Sequence, residues 1–250
     1  MAQQEQQQEQ RGTGRRRRRW PWVVAAVVVV LVLAGTALAV FAGPALYARF
    51  VAGEPDAQLA PAATPTATAT APAAGAQLDG TWTVAAGSVA GYRVAEVLEG
   101  RDITVTGRTE EVDGELTVTG GELTAAVLTV DLASVATDSG SRDQYFRSSV
   151  VDVATHPDAV FTLTGPAPLG GLEEPGAAVT VELTGTVSLN GQTRPVTVPA
   201  AVERTGEDAV TVTGAVPVTW TDFGVVPPDL GFVAVAADGE LEFSVLAARG

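Results

Sequence analysis

Hydrophobic and polar residues alternate with a period of two over most of residues 78–248. Val179, Val181, Leu183, Val187 and Leu189 interleave with Thr180, Glu182, Thr184, Thr186 and Ser188. Val210, Val212, Val216, Val218 and Trp220 interleave with Thr211, Thr213 and Thr219, and Leu241, Phe243 and Val245 with Glu240, Glu242 and Ser244. This period marks strands with one dry face and one wet face. Shorter versions occur at 103–105, 116–118 and 161–163. Asp113-Gly114, Asn190-Gly191 and Asp238-Gly239 are dipeptides that tolerate positive φ, and Gly120-Gly121 is a further candidate, so tight hairpins are expected there. About eight antiparallel strands without intervening amphipathic helices predict a closed barrel or a sandwich.

Two stretches break the alternation. Residues 132–157 are polar and aperiodic, and read as a helical excursion in which Ser141 caps a short helix through Phe146, with Asp143 near its positive end. Residues 221–232 contain Pro227-Pro228 and cannot form a central strand.

The N-terminal part follows other rules. Residues 23–42 form a charge-free apolar run of 20 residues, broken only by Gly35 and Thr36. A helix of that length spans about 30 Å, the hydrocarbon thickness of a bilayer. Trp20 and Trp22 stand at its start, where amphipathic rings favour the interface, and Arg15 to Arg19 precede it. The expected organisation is a basic cytoplasmic tail at 1–19, a transmembrane helix at 20–43, a Pro/Ala/Thr-rich linker at 44–77 and a β domain at 78–250. The arginines keep the tail inside, which places a single-pass protein in the cell membrane with its β domain extracytoplasmic. Ala37-Leu38-Ala39 could serve a signal peptidase, but the apolar run exceeds the usual length of a cleaved signal and favours retention.

Charge and composition narrow the chemistry. The net charge is −14, and from residue 78 onward eight arginines face 25 acids, so a nucleic-acid partner is not expected. The chain has no cysteine and one histidine, His156, set before a proline in a polar loop. Neither a metal-ligand spacing nor a phosphate-binding glycine loop nor a nucleophile motif is present in the sequence. The reading is a non-enzyme with no cofactor. Large residues are scarce, and Gly107, Gly185 and Gly214 fall within strands, where they remove side-chain volume or permit curvature. Composition leaves two interiors open: a hollow sleeve for a slim apolar ligand, or a filled barrel with a structural or interaction role in the cell envelope.

Several segments resemble, in order, those of the YceI-like family. Trp82 opens the first strand, and Ser88-Val89-Ala90-Gly91-Tyr92-Arg93-Val94 resembles the second strand of actinobacterial-type members. The run TDSGSRDQYF from Thr137 to Phe146 resembles a turn followed by Arg-Asp and a short helix, and His156 to Phe161 a return strand. Gly185 to Val196, GTVSLNGQTRPV, resembles the family's most recognisable hairpin, and Asp222-Phe223-Gly224-Val225 its D-F-G turn. Gln144-Tyr145-Phe146 departs from the His-Leu common after Arg-Asp, and Ser88 lacks a neighbouring histidine. The resemblance implies a lipocalin-like antiparallel barrel that binds an apolar polyisoprenoid or quinone-like lipid. The larger residues near the expected mouth, Tyr92, Phe146, Phe161, Trp220, Phe223 and Phe232, are the candidate ligand-lining residues. Arg142 and Asp143 are expected to pair and hold the short helix.

Overall fold

A computed structural model describes residues 57–59 and 78–249. The expected basic tail and transmembrane helix, and the linker apart from 57–59, lie outside the described residues. Among the described residues no helix is long and apolar enough to cross a membrane. Eleven strands form one antiparallel sheet: β1 (Gly80–Val84), β2 (Val89–Leu98), β3 (Arg101–Thr109), β4 (Val112–Thr119), β5 (Glu122–Asp131), β6 (Asp158–Leu163), β7 (Ala167–Pro168), β8 (Ala178–Leu189), β9 (Gln192–Arg204), β10 (Ala209–Thr219) and β11 (Val233–Arg249). Eight of them close into a ring, in the order β1-β4-β5-β6-β8-β9-β10-β11, with β1 returning to β11.

The 17-residue β11 is where the barrel splits. Its last residues pair with β1, Trp82 opposite Arg249, while 233–244 pair with β2, which carries β3 beside it. β3 meets the other wall through mutual backbone hydrogen bonds between Arg108 and Ala136. Closure removes the unpaired edges that make open sheets prone to association.

Two of the four expected hairpin dipeptides are turns. Gly120 and Gly121, with φ of 64° and 78°, join β4 to β5, and Asn190 and Gly191, at 50° and 73°, join β8 to β9. The other two lie inside strands: Asp113-Gly114 in β4 and Asp238-Gly239 in β11, the latter beside a register shift. Their glycines serve close approach instead. A Cβ on Gly114 would meet the Val127 carbonyl at 2.3 Å, and one on Gly239 the Trp220 ring at 2.3 Å. The β2–β3 hairpin turns at Glu99-Gly100, both at positive φ.

The excursion at 132–157 contains a 3-10 turn (Leu132–Ser134), a short helix α1 (Gly140–Tyr145) and a π turn (Phe146–Val150). The N-cap of α1 is Ser139, whose side chain makes no capping bond, and Ser141 sits inside the helix. Asp143 lies in the first turn, where the helix dipole favours a negative charge. A second 3-10 turn (Trp220–Phe223) follows β10 and ends on Gly224 at φ 68°.

The interior has a packed end and a capped end. At the packed end Leu78, Trp82, Leu123, Ala167, Leu169, Leu172, Val181 and Ala200 belong to one contiguous buried cluster. Trp82 donates from its indole N–H to the Leu78 carbonyl at 2.9 Å. Buried Arg204 on β9 donates to the carbonyls of Leu172, Glu173, Gly206 and Glu207, which ties the 164–177 loop and the 205–208 turn to this end. A guanidinium suits the task because it offers five donors and stays charged. At the capped end the buried cluster is Val94, Val105, Leu132, Val135, Val151, Val187, Leu189, Val198, Val216, Val218, Trp220, Phe223 and Val225.

On the outer wall Glu242 is 2% exposed and ion-paired with Arg93 at 2.7 Å and Arg108 at 3.4 Å. Residues 57–59 lie along this wall. Arg108 donates to the Ala57 carbonyl, and Gln58 donates to Glu240 at 3.2 Å.

Candidate ligand site at the capped end

The strand glycines do not leave vacant space. Gly107 lies opposite Tyr92 on the neighbouring strand, and a Cβ there would stand 2.3 Å from Tyr92 Cε1. Gly214 lies opposite Phe243, whose ring would be 2.5 Å away, and Gly185 sits under the Phe161 ring at 2.7 Å. Each missing side chain is replaced by an aromatic ring lying across the strand, a known means of covering sheet glycines. Of the two roles expected for Gly107, Gly185 and Gly214, removal of side-chain volume is what the structure shows, and the space is taken by rings lying against the wall.

Three candidate residues meet beneath the cap. Tyr92 stacks on Phe146 with centroids 5.5 Å apart and 19° between planes, and meets Trp220 edge-on at 6.3 Å and 84°. β2 supplies Tyr92, the residue after α1 supplies Phe146, and the first residue of the 3-10 turn supplies Trp220. Phe161 lies halfway down, packed against both core clusters. Phe223 is 2% exposed and belongs to the core beneath the turn. Phe232 is 56% exposed and lies outside the interior, because the chain at 230–232 turns over the rim before entering β11.

The capped end differs from the packed end in how completely its apolar groups are covered. Tyr92, Ile103, Phe146, Val196, Val235 and Leu241 pack against the core there yet keep partial exposure. Among the described residues, those that do so at the packed end are Val84, Phe161, Ala177 and Phe243. Alternation did suggest that Leu241 and Phe243 face inward, but their place near the site depends on the pairing of β11 with β10 and β2. That pairing is invisible in a local pattern.

Polar groups gather at the same end. Arg142 pairs with Asp138, four residues earlier and just before the helix cap, and reaches Glu96 on β2 at 3.7 Å. The expected Arg142–Asp143 pair does not form, since neighbours on a helix point apart. Asp143 instead accepts from the Thr137 backbone at 2.9 Å and its hydroxyl at 2.7 Å. Burial pushes the Glu96 carboxyl above its ordinary range, partly opposed by Arg142. Burial also pushes the Tyr92 phenol up to about 12, so it stays neutral near neutral pH. The buried Trp220 indole N–H has no hydrogen-bond partner among the described residues. An apolar floor with a neutral hydroxyl, an uncommitted N–H and a carboxylate–guanidinium pair at its edge suits an amphiphile with a long apolar body.

His156 sits over Gly191, with its ring 2.7 Å from where a Cβ would be, and its backbone N–H donates to Asp152. Among the described residues no group of three His, Asp or Glu side chains is placed to hold a metal ion.

The fold is similar to that of a polyisoprenoid binding domain from Saccharophagus degradans implicated in plant cell wall breakdown. The TM-score is 0.56 at 19% identity, over 68% of this chain and 98% of that one. Burkholderia cenocepacia BcnA aligns with a TM-score of 0.49 at 22% identity, over 62% and 95%. A curated UPF0312 protein of Azotobacter vinelandii is 32% identical over 105 residues, which is 41% of this chain and 51% of that protein. The chain thus spans about half the length of that relative. Residues 82–247 match the YceI-like domain, with the closed antiparallel barrel that the resemblance implied, and the chain belongs to the YceI-like family.

Proposed function

We propose that the chain is a membrane-tethered, extracytoplasmic lipid-binding protein, an actinobacterial-type family member that holds a polyisoprenoid-type chain in the capped half of its barrel. One observation carries the reading: apolar side chains packed on the capped-end core remain partly uncovered, while the packed end is filled around Leu78 and Trp82. Removing apolar surface from water supplies about 0.8 kcal/mol per buried CH₂, so a few isoprene units give a large gross term, which ordering of the tail partly offsets. The Saccharophagus degradans domain, described as polyisoprenoid binding, shares the barrel and supports the choice of ligand class. The tether rests on the 20-residue apolar run behind five arginines. Tyr92 and Trp220 stand ready to meet a carbonyl, hydroxyl or phosphate at the head of such a lipid.

The test is mass spectrometry of an organic extract of the purified full chain, with uptake of added polyprenol. Co-extraction of a prenyl lipid, lost when Leu241→Trp fills the capped half, is the expected result. An empty extract together with no polyprenol uptake sinks the reading and leaves a filled barrel on a stalk.

A further inference from the structure

The remaining exposed apolar groups are unevenly placed. Six large hydrophobic side chains are exposed among the described residues: Val97, Val127, Tyr145, Val226, Leu230 and Phe232. All but Val127 belong to the capped end. Val226, Leu230 and Phe232, at 76%, 55% and 56% exposure, lie on the loop between the Trp220–Phe223 turn and β11. Val97 is the penultimate residue of β2, and Glu99 in the turn after that strand donates its backbone N–H to the Phe232 carbonyl at 2.7 Å. Tyr145 is on α1, which reaches the same strand through Arg142 and Glu96.

The loop is shaped in advance. Leu230 donates to the Val233 carbonyl at 2.8 Å, Val235 to the Pro228 carbonyl at 3.0 Å, and Gly231 to the Asp229 carboxylate at 3.2 Å. Gly231 at φ 79° makes the turn that projects its neighbours outward, and Pro227-Pro228 stiffens the approach. Large apolar groups held outward by a hydrogen-bonded scaffold lose little further entropy on entering a partner.

We propose that this loop is a membrane-docking lip: Val226, Leu230 and Phe232 enter the interfacial layer of a bilayer and set the capped end of the barrel against it. The purpose of the contact, passage of the apolar ligand between bilayer and barrel without crossing water, rests on the lipid-binding reading above. A further observation identifies a bilayer as the occupant. Residues 23–42 are of bilayer-spanning length, and the 35 residues from 43 to 77 reach about 120 Å even when fully extended, so a bilayer anchored there stays close by. The acids Glu96, Glu99, Asp102, Asp138 and Asp229 outnumber Arg101 and Arg142 around the lip, which favours a zwitterionic surface over an anionic one.

The chain has no cysteine, so single labels are clean. The full chain carrying Leu230→Cys with an environment-sensitive dye is reconstituted into phosphatidylcholine vesicles, beside Glu207→Cys in the turn at the packed end. The Leu230 label should shift to shorter wavelength and escape an aqueous quencher, while the Glu207 label remains aqueous. Equal quenching at both sites overturns the proposal and turns attention to a protein partner for the loop. Val226→Asp with Leu230→Asp should leave the barrel folded and still loaded with lipid in detergent, yet slow polyprenol transfer between vesicles at least about tenfold. Transfer at the original rate also overturns it. The dye readout needs no ligand, so a docking lip and an empty barrel would be told apart.

Discussion

Replacing Gly107 with alanine should drive the Tyr92 ring off the wall of the barrel. The added Cβ would stand 2.3, 2.7 and 3.1 Å from Cε1, Cζ and Cδ1 of that ring, where ordinary contact begins at 3.4 Å. The ring must withdraw by about 1 Å, and it is held from behind by the Phe146 stack and at its side by Trp220. Overpacking of this kind costs about 1–3 kcal/mol. Gly107 has ordinary strand φ, so alanine returns about 0.5–1 kcal/mol by restricting the unfolded chain. The net loss of about 1–2 kcal/mol lowers Tm by about 2–8 °C for a domain of this size. Thermal unfolding followed by near-ultraviolet circular dichroism reads it directly. Gly140→Ala is the control, since nothing lies within 4 Å of its Cβ position and its φ is ordinary; it should be neutral or slightly stabilising. In a Tyr92→Ala background the Gly107→Ala cost should vanish, giving a coupling of at least about 1 kcal/mol. Equal stability of Gly107→Ala and wild type in both backgrounds would refute the ring-on-glycine account.

Three further outcomes follow from the same structure. Glu96 holds its proton more tightly folded than unfolded, so its stabilising contribution is complete below about pH 4.5 and is lost as pH rises through the raised value. Glu96→Gln should therefore gain Tm relative to wild type between pH 4 and pH 7, and a constant difference would contradict the assignment. Glu242→Ala removes a carboxylate 2% exposed and paired with Arg93 and Arg108; because both arginines retain some solvent access, the cost should be about 1.5–3 kcal/mol by urea denaturation. Exposed Glu203→Ala on the next wall should fall within about 0.5 kcal/mol of wild type. Trp82→Ala removes an indole 2% exposed, bonded to Leu78 and covered by Arg249 at 4.8 Å, and should cost about 3–5 kcal/mol. A cost near 1 kcal/mol would mean that the packed end is not closed by this ring.

The amino-acid sequence by itself determined the strands, because a half-buried strand writes its burial as strict alternation, as 179–189 and 210–218 do. It determined the Asn190-Gly191 and Gly120-Gly121 turns through the positive φ those residues accept, and the aperiodic excursion at 132–157. Tertiary structure alone decided the rest. Asp113-Gly114 and Asp238-Gly239 have turn chemistry but lie within strands, while the turn at Glu99-Gly100 carries a weaker local signal, because pairing with neighbouring walls overrides dipeptide preference. The meeting of Tyr92 with Phe146 and Trp220 joins residues 54 and 128 positions apart. Likewise Gly107, Gly185 and Gly214 read as missing volume along the chain, and only cross-strand register places a ring on each. A period of two tells which face a side chain takes; what fills the space opposite depends on register and on which strand stands next to which, and neither is a property of any local stretch of chain.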